Sequence, residues 1–529
     1  MVKRTFYALI AASIFITLSV SAQPLRYTDR NSVEQINKFN QFYQYLNGIY
    51  VDTVDNNLII EEAIKAALAK LDPHSAYVSV EEMKGVEESF SGSFSGIGIE
   101  FNVLNDTIMV VNPLVGGPAQ TVGLLAGDRI VEVDGENVVG TSRLDVPKYL
   151  RGEKGSKVAL KIIRRASREP LDFVITRDDI PIETVDAAYK IDDKTGYIKV
   201  NRFAQTTFDE FADAYTSFGE IDALVLDLRN NGGGLLDQAI MMANFFLPKG
   251  ALIVSTEGRV APSESQEAFF DGPFRNGKVI VLINEASASA SEIVAGAIQD
   301  WDRGVVIGRR SFGKGLVQRQ IPLNDGSAVR ITVAHYHTPT GRVIQRPYTN
   351  GEQDKYYQDF ADLVNSGSDT IASIDKADQY KTLGKGRTVY GGGGIYPDIY
   401  VKADTSNYTR DWARLINQGI LNEFIISYVD KNRKALEQSY PSFDVFKDKF
   451  IVDSNILLQL YQSAADKNVE IDTEAIKISE EGIKVQIKAL VAQKLWDTNE
   501  YFIITNSLDD DTYHKALDVL NDWARYVEF

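Results

Sequence analysis

The chain has 529 residues, of which 44% are hydrophobic, 10% aromatic and 24% charged. At roughly 100–200 residues per domain this length predicts three or four structural units, and the composition is typical of globular proteins. The formal net charge of −17 repels nucleic acid and anionic lipid, so we expect no nucleic-acid partner. The chain has no cysteine and only four histidines, which excludes disulfides and cysteine-ligated zinc. We therefore expect a hydrolase here to use no metal or other cofactor.

The first 22 residues have the pattern of a secretory signal peptide. Lys3 and Arg4 precede an apolar run of about 15 residues, which ends in the small residues that signal peptidase requires. A spanning helix needs about 20 apolar residues. We therefore predict cleavage after Ala22 and an exported, most simply periplasmic protein, with a retained membrane anchor as the alternative.

Four regions follow, each with its own pattern. Residues 23–90 carry apolar positions at helical spacing. Residues 91–178 contain short β-type runs separated by glycine-rich and Asp-Gly turns, which predicts a mostly β module. In residues 179–405 buried-type strands alternate with helical stretches, the pattern of an α/β layer fold with a largely parallel sheet. Residues 406–529 have a helical pattern.

Two details of these regions are specific enough to check. The polar segment 350–387 is rich in Ser, Asp and Lys, and it is typical of a long insertion loop rather than a core element. In the last region, Trp412, Trp496 and Trp523 are the expected core anchors.

The most informative stretch is VLINEASASASEIVAGAIQDW, at residues 281–301, which reads as a strand, a turn and a helix. Small side chains at a helix start leave backbone N–H groups open, and the helix dipole adds positive potential there. An oxyanion could be held beside a serine hydroxyl, and Ser287, Ser289 and Ser291 are all candidate nucleophiles. The alternative is that these serines only cap the helix, as serine usually does in this position.

A serine nucleophile needs a base, and the histidines match no triad motif. Lys314 in RRSFGKGLVQRQ is the candidate, because burial lowers the pKa of an ammonium group and the neutral amine can accept the serine proton. Its glycine neighbours allow close backbone approach, and Gln318 could lie on the same side. The alternative for GKG is a turn with a solvated lysine.

Two further features border these candidates. Asp300 lies 11 residues after Ser289, which is about 16 Å along an unbroken helix and too far to complete a triad directly. The glycine run in DLRNNGGG follows a buried strand, and glycine there allows a bend whose amides face a site. A plain tight turn is the alternative for this run.

Nine blocks from Tyr50 to about Val401 resemble, in order, the carboxyl-terminal processing peptidases, also called tail-specific proteases. This family consists of Ser–Lys serine endopeptidases. In chain order the blocks are AIKAALAKLDPHSAYVS, GSFSGIGIEF, GPAQTVGLLAGDRIVEVDGENV, LRGEKGSKVAL, LVLDLRNNGGG, NEASASASEIVAGAIQD, GRRSFGKGLVQ, TPTGRVIQ and GGGGIYPDI.

The resemblance implies roles for single residues. Ser289 matches the nucleophile and Lys314 the general base, at the family's spacing of 25 residues. Gln318 matches the glutamine that orients the lysine in some members. The N–H groups of Gly234 and Ala290 match the oxyanion hole, with a one-residue choice of register within the glycine run. Asp300 matches an acidic position needed in some relatives. Because it lies too far along the helix from Ser289 to contact it, we interpret its role as structural support.

The resemblance also implies an architecture and partners. It predicts a crotonase-like layered α/β protease core with an inserted, mostly β PDZ domain and an added helical C-terminal region. The amides of Gly96, Ile97, Gly98 and Ile99 would bind the terminal carboxylate of a substrate tail, and the next strand would pair with that tail. The implied partners are protein substrates held by their C-terminal tails, with an adaptor lipoprotein and a second copy of the chain as further candidates.

Together these features predict an exported serine endopeptidase that captures C-terminal tails and cleaves through an acyl-enzyme. One alternative is a catalytically silent PDZ-type scaffold that only binds peptides. Another is a small-ligand carrier built on a crotonase-like fold.

Overall fold

The structure is a computed structural model that describes residues 30–104, 106–114, 116–125, 127–164, 167, 169–260, 262–366, 378–404 and 406–527. The predicted signal peptide, residues 1–22, lies outside these described residues. The chain divides into two compact units, Met1–Ala67 and Leu68–Phe529. The first unit contains the helix α1 (Arg30–Ile49) and all but the last residue of α2 (Asn56–Leu68), as the helical spacing predicts. Within the described ranges, no helix has the length and apolarity needed to cross a membrane.

The second unit opens with a short strand, a helix and another strand: β1 (Ala76–Val78), α3 (Val80–Ser91) and β2 (Ser93–Gly96). Helix α3 starts at a capping box, in which the Ser79 hydroxyl accepts from the Glu82 N–H and the Glu82 carboxylate accepts from the Ser79 N–H. The helix ends at Gly92, whose φ of 71° suits glycine.

The predicted β module is an antiparallel sheet with strand order β3-β4-β5-β7-β8, in which β6 pairs with β5. Its core is made of fully buried aliphatic side chains such as Ile108, Ile130 and Val158. Strand β3 is at the edge of the sheet, and β9 pairs with β2 instead. The elements are β3 (Ile99–Leu104), β4 (Thr107–Pro113), α4 (Pro118–Thr121), β5 (Arg129–Val133), β6 (Glu136–Asn137), α5 (Val146–Leu150), β7 (Lys157–Ile163), β8 (Leu171–Thr176) and β9 (Asp178–Pro181).

The central α/β region alternates strands and helices, as its pattern predicts. Its elements are β10 (Val185–Asp192), β11 (Thr195–Val200), α6 (Thr207–Ser217), β12 (Ala223–Asp227), α7 (Leu236–Asn244), β13 (Leu252–Glu257), β14 (Glu264–Glu267), β15 (Lys278–Ile283), α8 (Ala290–Asp300), β16 (Val305–Gly308), β17 (Leu316–Pro322), β18 (Ala328–His337), α9 (Gln353–Ser366), β19 (Gln379–Lys381), β20 (Thr388–Tyr390) and β21 (Ile399–Tyr400).

The main sheet of this region has the strand order β10-β11-β12-β15-β16-β21, and every pairing is parallel except that of β10 with β11. Apolar side chains such as Leu224 and Val281 point to the face covered by α6, α7 and α8. Their neighbours Val225 and Ile280 point to the opposite face. Both faces are therefore buried, which is why these strands are apolar throughout. A second, antiparallel sheet has the order β1-β18-β13-β14, and β17 also pairs with β18.

The C-terminal helices pack as two parts. The first part has its own apolar core, to which Trp412 and Trp496 contribute. In the second part, Val519 and Trp523 pack against the face of the main sheet opposite α6, α7 and α8. The elements are α10 (Arg410–Asn417), α11 (Ile420–Ser439), α12 (Phe443–Lys449), α13 (Ser454–Ala465), a 3-10 helix (Ala475–Ser479), α14 (Glu480–Leu495), α15 (Thr498–Asp509), α16 (Asp511–Asn521) and α17 (Trp523–Val527).

The segment 350–387 differs from the expected long loop, because it contains helix α9 and strand β19. The polar composition of the segment gave no indication that three aromatic residues of this helix pack against the protein. Tyr356 is only 4% exposed, and the Arg346 guanidinium stacks on the rings of Tyr356 and Phe360 at 4.0 and 4.4 Å. Residues 367–377 lie outside the described residues.

Candidate active site

Three loops of the α/β region meet at a cavity of about 470 Å³. They follow β12, β15 and β16, so all three begin at the carboxyl ends of neighbouring parallel strands, where α/β folds usually place ligands. The cavity is lined by Gly232, Gly233, Gly234, Ser289, Ala290, Ile293, Lys314, Leu316, Gln318, Arg330 and Tyr336, among others.

Ser289 is the one of the three candidate serines that lines this cavity. The hydroxyl of Ser287 donates to Leu228 O at 2.8 Å, and that of Ser291 donates to Asn231 O at 2.9 Å. Both hydrogen bonds therefore connect the turn before α8 to the glycine loop. Ser289 has φ 55° and ψ −113°, a backbone conformation that costs a non-glycine residue about 1–3 kcal/mol. The fold thus holds Ser289 in a strained turn at the start of α8.

Lys314 and Gln318 meet in the same cavity. Lys314 Nζ donates to Gln318 Oε1 at 2.9 Å, and Gln318 Nε2 in turn donates to the carbonyl of His74. A shift of register between Val317 and Gln318 interrupts the pairing of β17 with β18 at this point. Burial, with a contribution from the Arg330 guanidinium, lowers the pKa of Lys314 below its usual 10.5. The arrangement can hold a lysine amine that gives up its proton more readily than a solvated one.

The glycine loop lies directly against the serine turn. Gly233 has φ 94°, and a Cβ added there would lie 2.8 Å from Ser289 Cβ. The Gly233 N–H donates to Asn231 Oδ1 at 2.9 Å, so it is not free to donate to a ligand in the cavity. Among the described residues, the N–H groups of Gly234 and Ala290 have no acceptor, and both residues line the cavity. Two free donors at a helix start can accommodate an oxyanion.

Glu292 is a site residue that the sequence reasoning missed. Its buried carboxylate accepts hydrogen bonds from Ser289 N at 2.8 Å and Lys314 N at 2.9 Å, and also from Gly313 N and Ser311 Oγ. Burial raises the pKa of Glu292 to about 7, while the four donors favour its anion. The signal was available in the sequence, since Glu292 follows Ser289 at the Ser-x-x-Glu spacing of a capping box.

Tyr336 on β18 was also missed. Its buried hydroxyl donates to Lys314 O at 2.5 Å and lies 3.3 Å from Ser289 O, so it joins the same two loops. A tyrosine within the strand HYH has no local signal that would reveal this contact.

Asp300 is at the opposite end of α8 and does not line the cavity. Its buried carboxylate pairs with the fully buried guanidinium of Arg342 and accepts from Thr340 N at 2.9 Å.

The predicted carboxylate loop connects β2 to β3. Gly98 has φ 73°, and its carbonyl accepts from Leu114 N at 3.0 Å. Within the described part of the chain, the N–H groups of Ile97 and Gly98 have no acceptor. The loop therefore offers free amides next to the edge strand β3.

Comparison with known families matches three parts of the chain. Residues 194–353 match peptidase family S41, and residues 109–164 match the PDZ domain. Residues 412–497, which include most of the first C-terminal helical part, match a family of unknown function, DUF8443.

Whole proteins of the same kind are similar over most of their length. A carboxy-terminal-processing protease of Bartonella bacilliformis is 38% identical over 356 residues, covering 65% of this chain and 81% of that protein. The carboxy-terminal processing protease CtpA of Bacillus subtilis is 33% identical, covering 77% of this chain and 86% of that protein. A solved photosystem II D1 C-terminal processing protease is 32% identical with a TM-score of 0.35, covering 58% and 83% respectively. The chain belongs to the carboxy-terminal processing peptidases of family S41, and it is a serine-type peptidase with a PDZ domain and a helical C-terminal region.

Proposed function

We propose that this peptidase cleaves by a Ser–Lys mechanism after its PDZ domain has captured the C-terminal tail of a protein substrate. The observation that carries the proposal is the hydrogen bond from Lys314 Nζ to Gln318 Oε1, in the cavity that the strained Ser289 also lines. Burial keeps the pKa of Lys314 low, which favours the neutral amine that a general base requires.

In this mechanism the Ser289 Oγ attacks the scissile carbonyl carbon while Lys314 Nζ accepts the hydroxyl proton. The N–H groups of Gly234 and Ala290 stabilise the tetrahedral oxyanion. The C–N bond then breaks, and the Lys314 ammonium returns the proton to the departing amine. Water, deprotonated by Lys314, attacks the ester carbonyl carbon. The C–O bond to Ser289 breaks, and the Lys314 ammonium returns the proton to Ser289 Oγ. Gln318 orients the amine throughout.

Tail capture uses the loop from Gly96 to Ile99. Its free amides bind the terminal carboxylate, and the tail adds to the open edge of β3 by main-chain hydrogen bonds. A chain with a net charge of −17 must supply positive potential for an anion locally, and backbone amides do so.

The wider organisation is part of the same proposal. The boundaries are a signal peptide at 1–22, a helical region at 23–90, the PDZ domain at 91–178, a crotonase-like layered core at 179–405 and a helical region at 406–529. Asp300 supports the core structurally through Arg342. The enzyme is exported, most simply to the periplasm, with a membrane-anchored form as the alternative. An adaptor lipoprotein and a second copy of the chain are its proposed partners besides substrate.

The test uses intact-mass spectrometry of a loosely folded protein with an apolar C-terminal tail. It is incubated with the enzyme lacking residues 1–22 and, separately, with its Ser289→Ala variant. We expect fragments with the first enzyme only, and we expect them to disappear when the substrate tail is amidated. Cleavage by Ser289→Ala would contradict the nucleophile assignment, and unchanged cleavage of the amidated protein would contradict carboxylate capture.

A further inference from the structure

Helix α9 contacts the short segment that anchors Gln318. Gln353 Nε2 donates to Pro73 O at 2.9 Å, and the Tyr357 hydroxyl donates to the same carbonyl at 3.2 Å. The Tyr356 hydroxyl lies 3.4 Å from His74 Nε2, and the two rings pack edge to face. The first five residues of α9 therefore fix the Pro73–His74 peptide.

Asp72 also fixes this segment and connects it to β18. Its buried carboxylate accepts from His74 N at 2.9 Å, from Ser75 N at 3.0 Å and from Thr332 Oγ1 on β18 at 2.9 Å. The carbonyl of His74 is therefore held in one direction. That carbonyl is the acceptor for Gln318 Nε2, and Gln318 Oε1 is the acceptor for Lys314 Nζ.

A second line of contacts runs from α9 to the residues that precede Lys314. The Arg346 guanidinium stacks on the rings of Tyr356 and Phe360 of α9. It also stacks on Phe312, whose ring centroid is 4.8 Å from Arg346 Cζ. Arg346 N also donates to Gly313 O at 2.9 Å. Helix α9 is thus connected to Lys314 by two routes. One leads through Arg346 to the backbone next to Lys314, and the other leads through His74 O and Gln318 to the Lys314 amine.

We propose that α9 is a positioning element for the general base, and that Gln353 and Tyr357 act on Lys314 through His74 O and Gln318. The inference rests on the proposed roles of Ser289 and Lys314. A base displaced by a fraction of an ångström loses rate rather than affinity, because the substrate still binds while proton transfer is misaligned. Disturbing the first turn of α9 should therefore lower kcat and leave KM nearly unchanged.

The experiment compares the double variant Gln353→Ala/Tyr357→Phe and one control variant with the unmodified full mature chain. Gln353→Ala removes one donor to Pro73 O. Tyr357→Phe removes the other donor but keeps the ring, which is 42% exposed and so needs little repacking. Gln358→Ala is the matched control, because among the described residues this exposed glutamine of the same helix donates only to its neighbour Asp362. We expect the Gln353→Ala/Tyr357→Phe pair to lower kcat about 10-fold, with KM and melting temperature nearly unchanged, and Gln358→Ala to match the unmodified enzyme.

The route of the effect is tested by repeating the double substitution in a Gln318→Ala background. If α9 acts through Gln318, the double substitution should cause no further loss there, whereas a merely structural effect would be the same in both backgrounds. Equal losses in the two backgrounds, or no loss in the first, would overturn the inference. If Gln318→Ala keeps full kcat while Ser289→Ala has none, the inference fails and the nucleophile assignment stands. Normal turnover by Ser289→Ala would instead refute the proposed function itself.

Discussion

At the scale of single residues, Glu292 joins the two loops that carry the proposed nucleophile and base. One carboxylate oxygen accepts from both Ser289 N and Lys314 N. A glutamine has the same shape, but one of the two carboxylate oxygens would be replaced by an NH2 group. That group would face donors in either orientation of the amide, because both oxygens of Glu292 accept hydrogen bonds. Such buried donors left without an acceptor are expensive.

We expect Glu292→Gln to lower kcat by at least about 100-fold, because two displaced hydrogen bonds to a charged group are worth about 1.5–3 kcal/mol each. Glu285→Gln is the control, since its partly exposed carboxylate also links the two loops, to Arg309 Nε at 2.7 Å, but near their first residues rather than at Ser289 and Lys314. Steady-state kinetics on a tail-bearing peptide provide the measurement. Equal kcat values for the two variants would contradict the joining role of Glu292.

The protonation of Lys314 predicts the pH dependence of the reaction. The lysine acts as a base only when neutral, and burial lowers its pKa below the usual 10.5. The rate should therefore rise with pH along a limb whose midpoint lies below 10.5, and it should fall as the amine gains its proton. A pH profile of kcat measures this limb. Loss of activity as pH rises through the same range would contradict the assignment of Lys314 as the base.

At the scale of elements, the geometry of the site depends on how closely the glycine loop approaches the first turn of α8. Asn231 accepts from Gly233 N and, through its carbonyl, from Ala288 N and Ser291 Oγ. The strain at Ser289 persists because these contacts fix the turn on both sides.

Gly233→Ala is expected to lower kcat at least about 100-fold, because a methyl group at φ 94° would push the serine turn out of position. Gly232→Ala should lower it far less, since its Cβ meets no atom within 4 Å. Kinetics and thermal unfolding of the two variants compare them directly. Similar losses at both positions would show that the loop tolerates neither methyl group, contrary to this account.

At the scale of the whole molecule, the C-terminal helices complete the core of the peptidase. Val519 on α16 is fully buried against the main sheet, in the cluster that includes Tyr197 and Ile280. Arg229, which follows β12, also pairs with Asp510 at 2.7 Å. The last helices therefore cover a face of the sheet that bears the active-site loops.

Val519→Asp should lower the free energy of unfolding by about 4 kcal/mol or more, because it buries an unpaired charge. Asp518→Asn, an exposed change one residue away, should alter it by about 0.5 kcal/mol or less. Urea unfolding of the two proteins measures the difference. Full stability of Val519→Asp would mean that α16 leaves the sheet in solution.

The sequence predicted the parts of this molecule that depend on local pattern. Short β-type runs between glycine-rich turns indicated the β module, and apolar strands alternating with helical stretches indicated the main sheet. Small residues around Ser289 and Lys314 marked two of the loops that meet at the cavity. Contacts between distant segments gave no local signal. His74 contacts Gln318 because the pairing of β1 with β18 brings two distant segments together, and the aromatic residues of α9 stand among polar neighbours in the sequence. The same limit applies to the two-part packing of the C-terminal helices.

The central claim is that Ser289 is a nucleophile activated by Lys314, and covalent labelling tests it most directly. A peptidyl fluorophosphonate with an apolar sequence forms a stable adduct with an activated serine hydroxyl, and peptide mapping by mass spectrometry locates the adduct. We predict labelling at Ser289 alone, slowed about 100-fold or more in Lys314→Ala. Labelling at Ser287 or Ser291, or an unchanged rate in Lys314→Ala, would contradict the claim.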